Sequence, residues 1–564
     1  MDRKIILARD YGILPDDHRD YADNFRALFE DLKKESAVTV KIERGVYDIY
    51  HETATKEVFY VTNTLSEQDK AVPEHLFGLI LRDLNDVELD FDGSTLLYHG
   101  AMTHLFIDNC NKVRIKNLTI DHPRPPYCSE ITCTSKSFLK AEFKIHPDSD
   151  YRLVGSEPIF VGENWSFSGR HDASTAGYIP RYKDGAIRGG AHPFRHARKI
   201  REKSPGVLAV DYYFPPRVEE GETYALINIK RLESGIVVNE SEGVYLENVS
   251  QHFNMSHALV AQCSKDISLD YCNFAPRKNS NRVIASVTDF LHFNECRGKI
   301  LVSNSCFEGA NDDGLNVHGV NFPVKEVDGN TVTITFSHKE TYGFNPFKKG
   351  DEVAFVDKYS LLDQASSTVE GSLLIDPYTI RLTLDKVPEI SIKDTVIENL
   401  STNPDVFYAG NYLSKISTRG VLVTTRGRVN ILDNTFRRTG MCGVLIADDA
   451  RSWYESGPVK SVTITGNKFN ECGDSAIAVR PEVARYDGAV HSDIMIKENA
   501  FIVNGNATAV DMRYADRILI TENEFKGSPL GAMMKFFSCT DLHITDNDLE
   551  DNYVVERKAG RGKI

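Results

Sequence analysis

The last third of the chain repeats itself. Asn434, Asn467, Asn499, Asn523 and Asn547 each stand two residues before a large apolar residue, in "VNILDNTF", "VTITGNKF", "IMIKENAF", "ILITENEF" and "LHITDNDL". The intervals are 33, 32, 24 and 24 residues. Each unit reads as an alternating strand, a turn at Asn, and a second short strand such as "GVLIA" or "SAIAV". Short strands at this period specify a parallel β-solenoid. Each coil leaves an apolar face open, and stacking on the next coil buries it. Asn suits the repeated turn because it tolerates the left-handed conformation. Its amide can also bond the equivalent Asn of the next coil.

The theme recurs upstream in "VELDFDG", "VRIKNLTI", "VYLENVS", "ISLDYCNF" and "ILVSNSCF". Near the start, "DDHRDYADNFRALFEDLKKE" predicts a helix with Phe25, Leu28, Phe29 and Leu32 on one face. It precedes the strand "VTVKIERGVYDI", with Gly45 at a bulge or turn. A helix covering the open end is what a solenoid needs for solubility. Two stretches break the period, and Asp328-Gly329 in the second is a hairpin signal. The expectation is an all-β chain: a right-handed parallel β-helix with two inserted, barrel-like antiparallel β modules and an N-terminal capping helix. Residues 1–127 form the capped start of the β-helix and 128–228 the first insert. Residues 229–320 form the central coils, 321–408 the second insert and 409–564 the C-terminal coils.

Composition narrows the partners. A net charge of −15 over 564 residues argues against nucleic acid, whose phosphates need basic partners, and against an anionic membrane surface. No run of 18 apolar residues exists, so membrane insertion is not expected. The first apolar run is too short for a signal peptide. Two readings stand: a cytoplasmic chain, or a periplasmic, cell-surface or secreted one whose leader is gone. Ten cysteines include no CxxC, so buried free thiols are expected rather than a thiolate metal site.

One segment does not read as a strand or an ordinary coil turn. "EGANDDGLNVHG" sets Asp312 and Asp313 side by side between Asn311 and Gly314. Asp289, in "ASVTDFLHF", lies 23 residues before Asp312, the length of one coil. Matching registers would put Asp289 below the pair, with a rise of roughly 4.8 Å. Three carboxyls on one patch cannot all ionise easily, so at least one pKa should rise. A raised acid beside an ionised base is what glycoside hydrolysis needs. A plain Asp-Asp-Gly turn and a calcium site with the Asn311 amide are the other readings.

The strip "VTDFLHF" followed by "NDDGLNVHG" is similar to the active-site strip of β-helical inverting glycosidases, polygalacturonases among them. The pectin-binding pattern of the latter, Gly-His-Gly followed by Arg-Ile-Lys, is missing. The chain more closely resembles glycoside hydrolase family 110, bacterial exo-α-1,3-galactosidases acting on blood group B structures. The "DYGILPDD" opening, both inserts, "NDDGLNVHG" and "TRGVLVTTRGRVNILDNTF…GVLIADDARSWYESGPV" carry the resemblance. It implies an inverting exo-enzyme that releases terminal α-1,3-linked galactose from branched or linear glycans, without cofactor or metal. It makes Asp312 the general acid, and Asp289 and Asp313 the pair that holds and deprotonates the attacking water. Rival classes are a polysaccharide lyase on the same fold and a non-catalytic glycan-binding solenoid. Oligomeric state is open, a homodimer included.

Six further residues are candidates for substrate binding: Asn311, His318, Arg419, Arg426, Trp453 and Glu455. Each has a structural reading beside the functional one. Trp453 stacks on a sugar or anchors its loop, and Glu455 bonds hydroxyls or makes a surface salt bridge. Arg419 and Arg426 contact substrate or lie on a solvated face. His318 bonds a hydroxyl or the acid, or is a structural histidine. Asn311 holds a carboxylate or turns the chain. Asp448 and Asp449 are read as loop caps, with substrate contact as the second reading. Trp165 lies in the first insert, and whether it reaches the site is open.

Overall fold

The structure, a computed structural model, describes residues 3–64, 72–173, 178–549 and 553–558. The two long sheets of a parallel β-helix run its length, with 21 and 14 strands. Helix α1 (Ala22–Leu32) buries Phe25, Leu28, Phe29 and Leu32. These four belong to the same apolar core as the coils, where Phe25 meets Tyr47 and Phe91. The helix begins later and ends sooner than the sequence pattern suggests. Among the described residues, no helix is long and apolar enough to cross a membrane.

The repeated asparagines stack. The Asn434 side-chain amide donates to Asn467 Oδ1 at 2.9 Å, Asn467 to Asn499 at 3.0 Å, Asn499 to Asn523 at 2.9 Å and Asn523 to Asn547 at 2.9 Å. Each Oδ1 also accepts the backbone N–H of the Asn before it. A second column runs beside the first. Phe436, Phe469, Phe501 and Phe525 stack face to face at 4.8–5.0 Å. Burial of each ring contributes roughly 1.5–3 kcal/mol.

One expectation is corrected. The left-handed residue is not the Asn but its predecessor: Asp433, Gly466, Glu498, Glu522 and Asp546 have φ of 53–71°. The chain bends one residue early. The Asn is thereby left buried with its amide pointing along the column.

The inserts differ. In the first, a seven-stranded antiparallel sheet from Cys128 to Ile227 shares one apolar core with a three-stranded sheet. Trp165 lies in that core, 7% exposed, against Tyr127 and Phe167. The second insert is a closed barrel running from Phe322–Asp328 to Thr395–Asn399. It emerges directly after a β-helix strand. That strand therefore pairs with a partner about a hundred residues further on.

Candidate active site

Four strands of the 14-stranded sheet position the site: β1 (Leu291–Asn294), β2 (Leu315–Val320), β3 (Val421–Val423) and β4 (Val444–Ile446). They are parallel neighbours in that order. Leu291, Phe293, Leu315 and Val317 belong to the solenoid core. The alternate positions, His292, Asn294, Asn316 and His318, are polar.

The acidic segment ends a coil where the backbone must pass close to its neighbour. A Cβ on Gly314 would lie 2.4 Å from the Gly420 carbonyl, so only glycine fits. In the register of β1 on β2, Leu291 faces Leu315. Carried back two residues, this sets Asp289 beneath Asp313 rather than Asp312, one residue from the register read in the sequence. The Asp313 N–H donates to Asp289 Oδ1 at 3.1 Å. One coil further, Thr418 and Arg419 close over the pair. The Arg419 guanidinium meets Asp313 Oδ2 at 2.7 Å, and its N–H donates to Oδ1 at 3.0 Å. The Thr418 hydroxyl bridges Asp313 and Asp312, 3.1 Å from the latter.

Burial decides the electrostatics. Asp289 and Asp313 are 4% and 1% exposed, whereas Asp312 is only partly buried. Burial, then the Asp312 charge, pushes Asp289 well above the usual range. Burial pushes Asp313 up to about 8 against the pull of Arg419. Together the two carboxyls hold a proton more tightly than free ones would.

A cavity of about 430 Å³ opens above these carboxyls. Loop 448–456 forms one wall. Its end folds back onto β2, where Glu455 and Ser456 pair with Val320 and Gly319. Asp449 holds the loop by accepting the backbone N–H groups of Arg451, Ser452, Trp453 and Tyr454. Trp453 is 50% exposed and rests on the His338 ring, at 4.4 Å. Arg231 and Asn63 also line the cavity, where three distant segments join. Arg231 pairs with Glu340 at 2.7 Å, and the Asn63 N–H donates to the Glu340 carbonyl.

Of the nine residues proposed from sequence, Asp289, Asp312, Asp313, Arg419, Trp453 and Glu455 line this cavity. The other three do not. Arg426 is spent on two carboxylates, Glu398 and Asp363, and clasps the barrel to the coils. Asn311 turns the chain beside Ser286 and Ser417. His318 is buried behind the cavity floor. Asp449 caps its loop and also lines the cavity, as does Asp448, which is 1% exposed and pushed up by burial. The sequence reading missed Arg231, Asn316 and His292. Polar residues alternating with apolar ones in "LHFN" and "LNVH" are a signal for the last two. Nothing local marks Arg231.

One oxygen from each of the three aspartates lies within 4.8 Å of the others, close enough to share a cation. Asp313 already has Arg419 as its cation. The cluster suits proton transfer, with two buried carboxyls on one side and a more accessible one on the other.

A parallel β-helix bearing this carboxylate cavity defines a β-helical glycosidase. Residues 331–396 match the GLAA-B beta-barrel domain II family, and residues 419–562 a right-handed beta helix region. Alpha-1,3-galactosidase A of Bacteroides thetaiotaomicron is 34% identical, over 92% of this chain and 92% of its own length. The enzyme of the same name from Bacteroides fragilis is 32% identical, over 88% and 83%. Alpha-1,3-galactosidase B of Akkermansia muciniphila is 26% identical, over 96% and 69%. The chain belongs to the alpha-1,3-galactosidase family.

Proposed function

We propose that this chain is an exo-acting, inverting α-1,3-galactosidase of glycoside hydrolase family 110. Its substrates are glycans ending in α-1,3-linked galactose, branched as in blood group B or linear. The observation that carries this reading is the division of the carboxyls: Asp312 partly open to the cavity, Asp289 and Asp313 buried beneath it. Asp312 protonates the leaving oxygen, and Asp289 and Asp313 hold the attacking water and take its proton. A base raised toward working pH removes that proton more readily than a free carboxylate. Galactose is neutral and its leaving group needs a proton, so activity should survive a chelator. Loss of activity with chelator and its return with calcium would favour a metal role for the three aspartates.

One observation favours a second reading. Inverting enzymes generally hold their carboxyls roughly 6.5–9.5 Å apart and retaining ones about 5–5.5 Å, and oxygens of these three approach within 4.8 Å. On spacing alone the site reads as retaining. A third carboxyl offers a way out, because two can share one water. The test is hydrolysis of a small panel of α-linked galactosides, with NMR of the first anomer released. β-Galactose supports inversion, α-galactose supports retention, and no released galactose ends the proposal.

A further inference from the structure

Behind the aspartates runs a line of buried histidines. His292 Nδ1 lies 3.0 Å from Asp289 Oδ2. His292 Nε2 lies 3.2 Å from His318 Nε2, and His318 Nδ1 lies 2.7 Å from the Gly319 carbonyl. His292 is fully buried and His318 is 5% exposed. Three neighbours flank the line. The Asn294 amide nitrogen lies 3.2 Å from His318 Nδ1, farther than Gly319. Glu455 lies 3.7 Å from His318 Nε2, and His257 lies 3.9 Å from Asp289.

The hydrogen bonds fix the protons. A carbonyl only accepts, so His318 Nδ1 carries a proton. Burial keeps His318 and His292 neutral, pushing both below the usual histidine range and His292 to about 4. A neutral imidazole has one N–H, so His318 Nε2 is bare. The bond between the rings then needs its proton on His292 Nε2, which leaves His292 Nδ1 bare. One proton must still lie between His292 Nδ1 and Asp289 Oδ2 for that contact to be a bond.

We propose that His292, locked by His318, is the positioning residue of Asp289, and that Asp289 and His292 share one proton and enter the reaction as an uncharged unit. This rests on the galactosidase reading of the site. It divides the work between the two buried carboxyls. Asp313 has three donors, Thr418 Oγ1, the Arg419 N–H and the Arg419 guanidinium, which is the donor set of an anion. With Asp289 uncharged, one of the charges that raise the Asp313 pKa is removed, and in its ionised form Asp313 takes the proton from water. Asp289, held at Oδ2 by His292 and at Oδ1 by the Asp313 N–H, orients that water.

The test compares His292→Phe, His292→Gln and His318→Phe with the unaltered protein, in kcat, KM and melting temperature. A misplaced catalytic group costs roughly 10²-fold in rate. His292→Phe should lose that much in kcat with KM unchanged. Glutamine offers one acceptor and one donor, as the neutral ring does, so His292→Gln should recover much of the loss. His318→Phe should fall between them. Wild-type kcat in a folded His292→Phe overturns the inference, as does equal loss in Phe and Gln variants that follows melting temperature. If His292→Phe does not fold, 15N spectra of the unaltered protein decide. A His292 ring whose only proton is on Nδ1 overturns the proposal, and a proton on Nε2 supports it. An unaltered protein that releases no galactose refutes the galactosidase reading instead, while the spectra still report on the proton line.

Discussion

One column of turn residues runs through two unlike halves of this solenoid. In the C-terminal coils it is asparagine six times over, from Asn411 to Asn547, amide on amide. Toward the site it shortens to Ser305 and then Cys272. The Ser305 N–H still donates to Asn411 Oδ1 at 2.9 Å, and the Cys272 N–H to Ser305 Oγ at 3.0 Å. The short side chains keep the backbone satisfied but lose the amide-to-amide bond. The flat Phe stack also ends. Phe274, Phe290 and Phe307 pack at angles of 47–87°. The central coils spend outward strand positions on His292, Asn316 and His318 instead. Regular coils are thus built for stability, and the irregular ones carry polar groups whose bonding is completed only at the site.

Substitutions should split along that line, and the largest effect belongs to the central coils. Asp312→Asn keeps shape but cannot donate a proton, so it should lose roughly 10²–10⁴-fold in rate with little change in melting temperature. The loss should shrink on an aryl galactoside whose leaving group departs unprotonated. Asp313→Asn and Asp289→Asn should gain nothing from that substrate. If Asp313→Asn is rescued and Asp312→Asn is not, acid and base are exchanged.

The C-terminal coils should respond in stability alone. Phe469, 1% exposed, lies between Phe436 and Phe501. Phe469→Ala should cost about 3–5 kcal/mol by denaturant unfolding and leave kcat intact. Asn467→Ala should cost less, about 1–3 kcal/mol. It strands the Asn434 N–H and amide, but the core stays filled. A kcat change in either variant would mean that the two regions are coupled, against the division drawn above.

What could be read from sequence follows the same divide. The ladder repeats an unusual residue at a fixed place, so Asn434 to Asn547 disclose the coil period without help. Asp312 and Asp313 stand out because carboxyls at a strand end have no local use. The rest depends on contacts that no short window contains. Thr418 and Arg419 reach Asp313 across about a hundred residues, through an insert whose own fold sets the register. Arg231, Glu340 and Asn63 come from three separate segments. Arg426 looks like Arg419 in sequence, a basic residue in "TRG", yet Glu398 and Asp363 of the barrel claim it. Only the three-dimensional fold separates the two arginines.

A pH-dependent effect tests how the central coils satisfy a buried turn without an amide. Glu295, after β1, has its side chain fully buried. Its carboxyl accepts the Val320 N–H at 2.6 Å and the Thr402 hydroxyl, tying the coil to the barrel. Burial pushes its pKa from the usual 4.5 up to about 8. The folded state therefore binds a proton that the unfolded chain releases. This contribution is fully present below about pH 4.5 and is lost as pH rises through about 8, at no more than about 1.4 kcal/mol per pH unit. Glu295→Gln removes the titration and keeps an acceptor for Val320. Its melting temperature should fall less than that of the unaltered protein between about pH 5 and pH 8, and the gap should widen with pH. Asp313, raised in the same direction, contributes to both slopes, so the difference between them reports Glu295 alone. Parallel slopes would mean that Glu295 titrates as an ordinary glutamate. The central turn would then be no more costly to hold than the amide turns of the ladder.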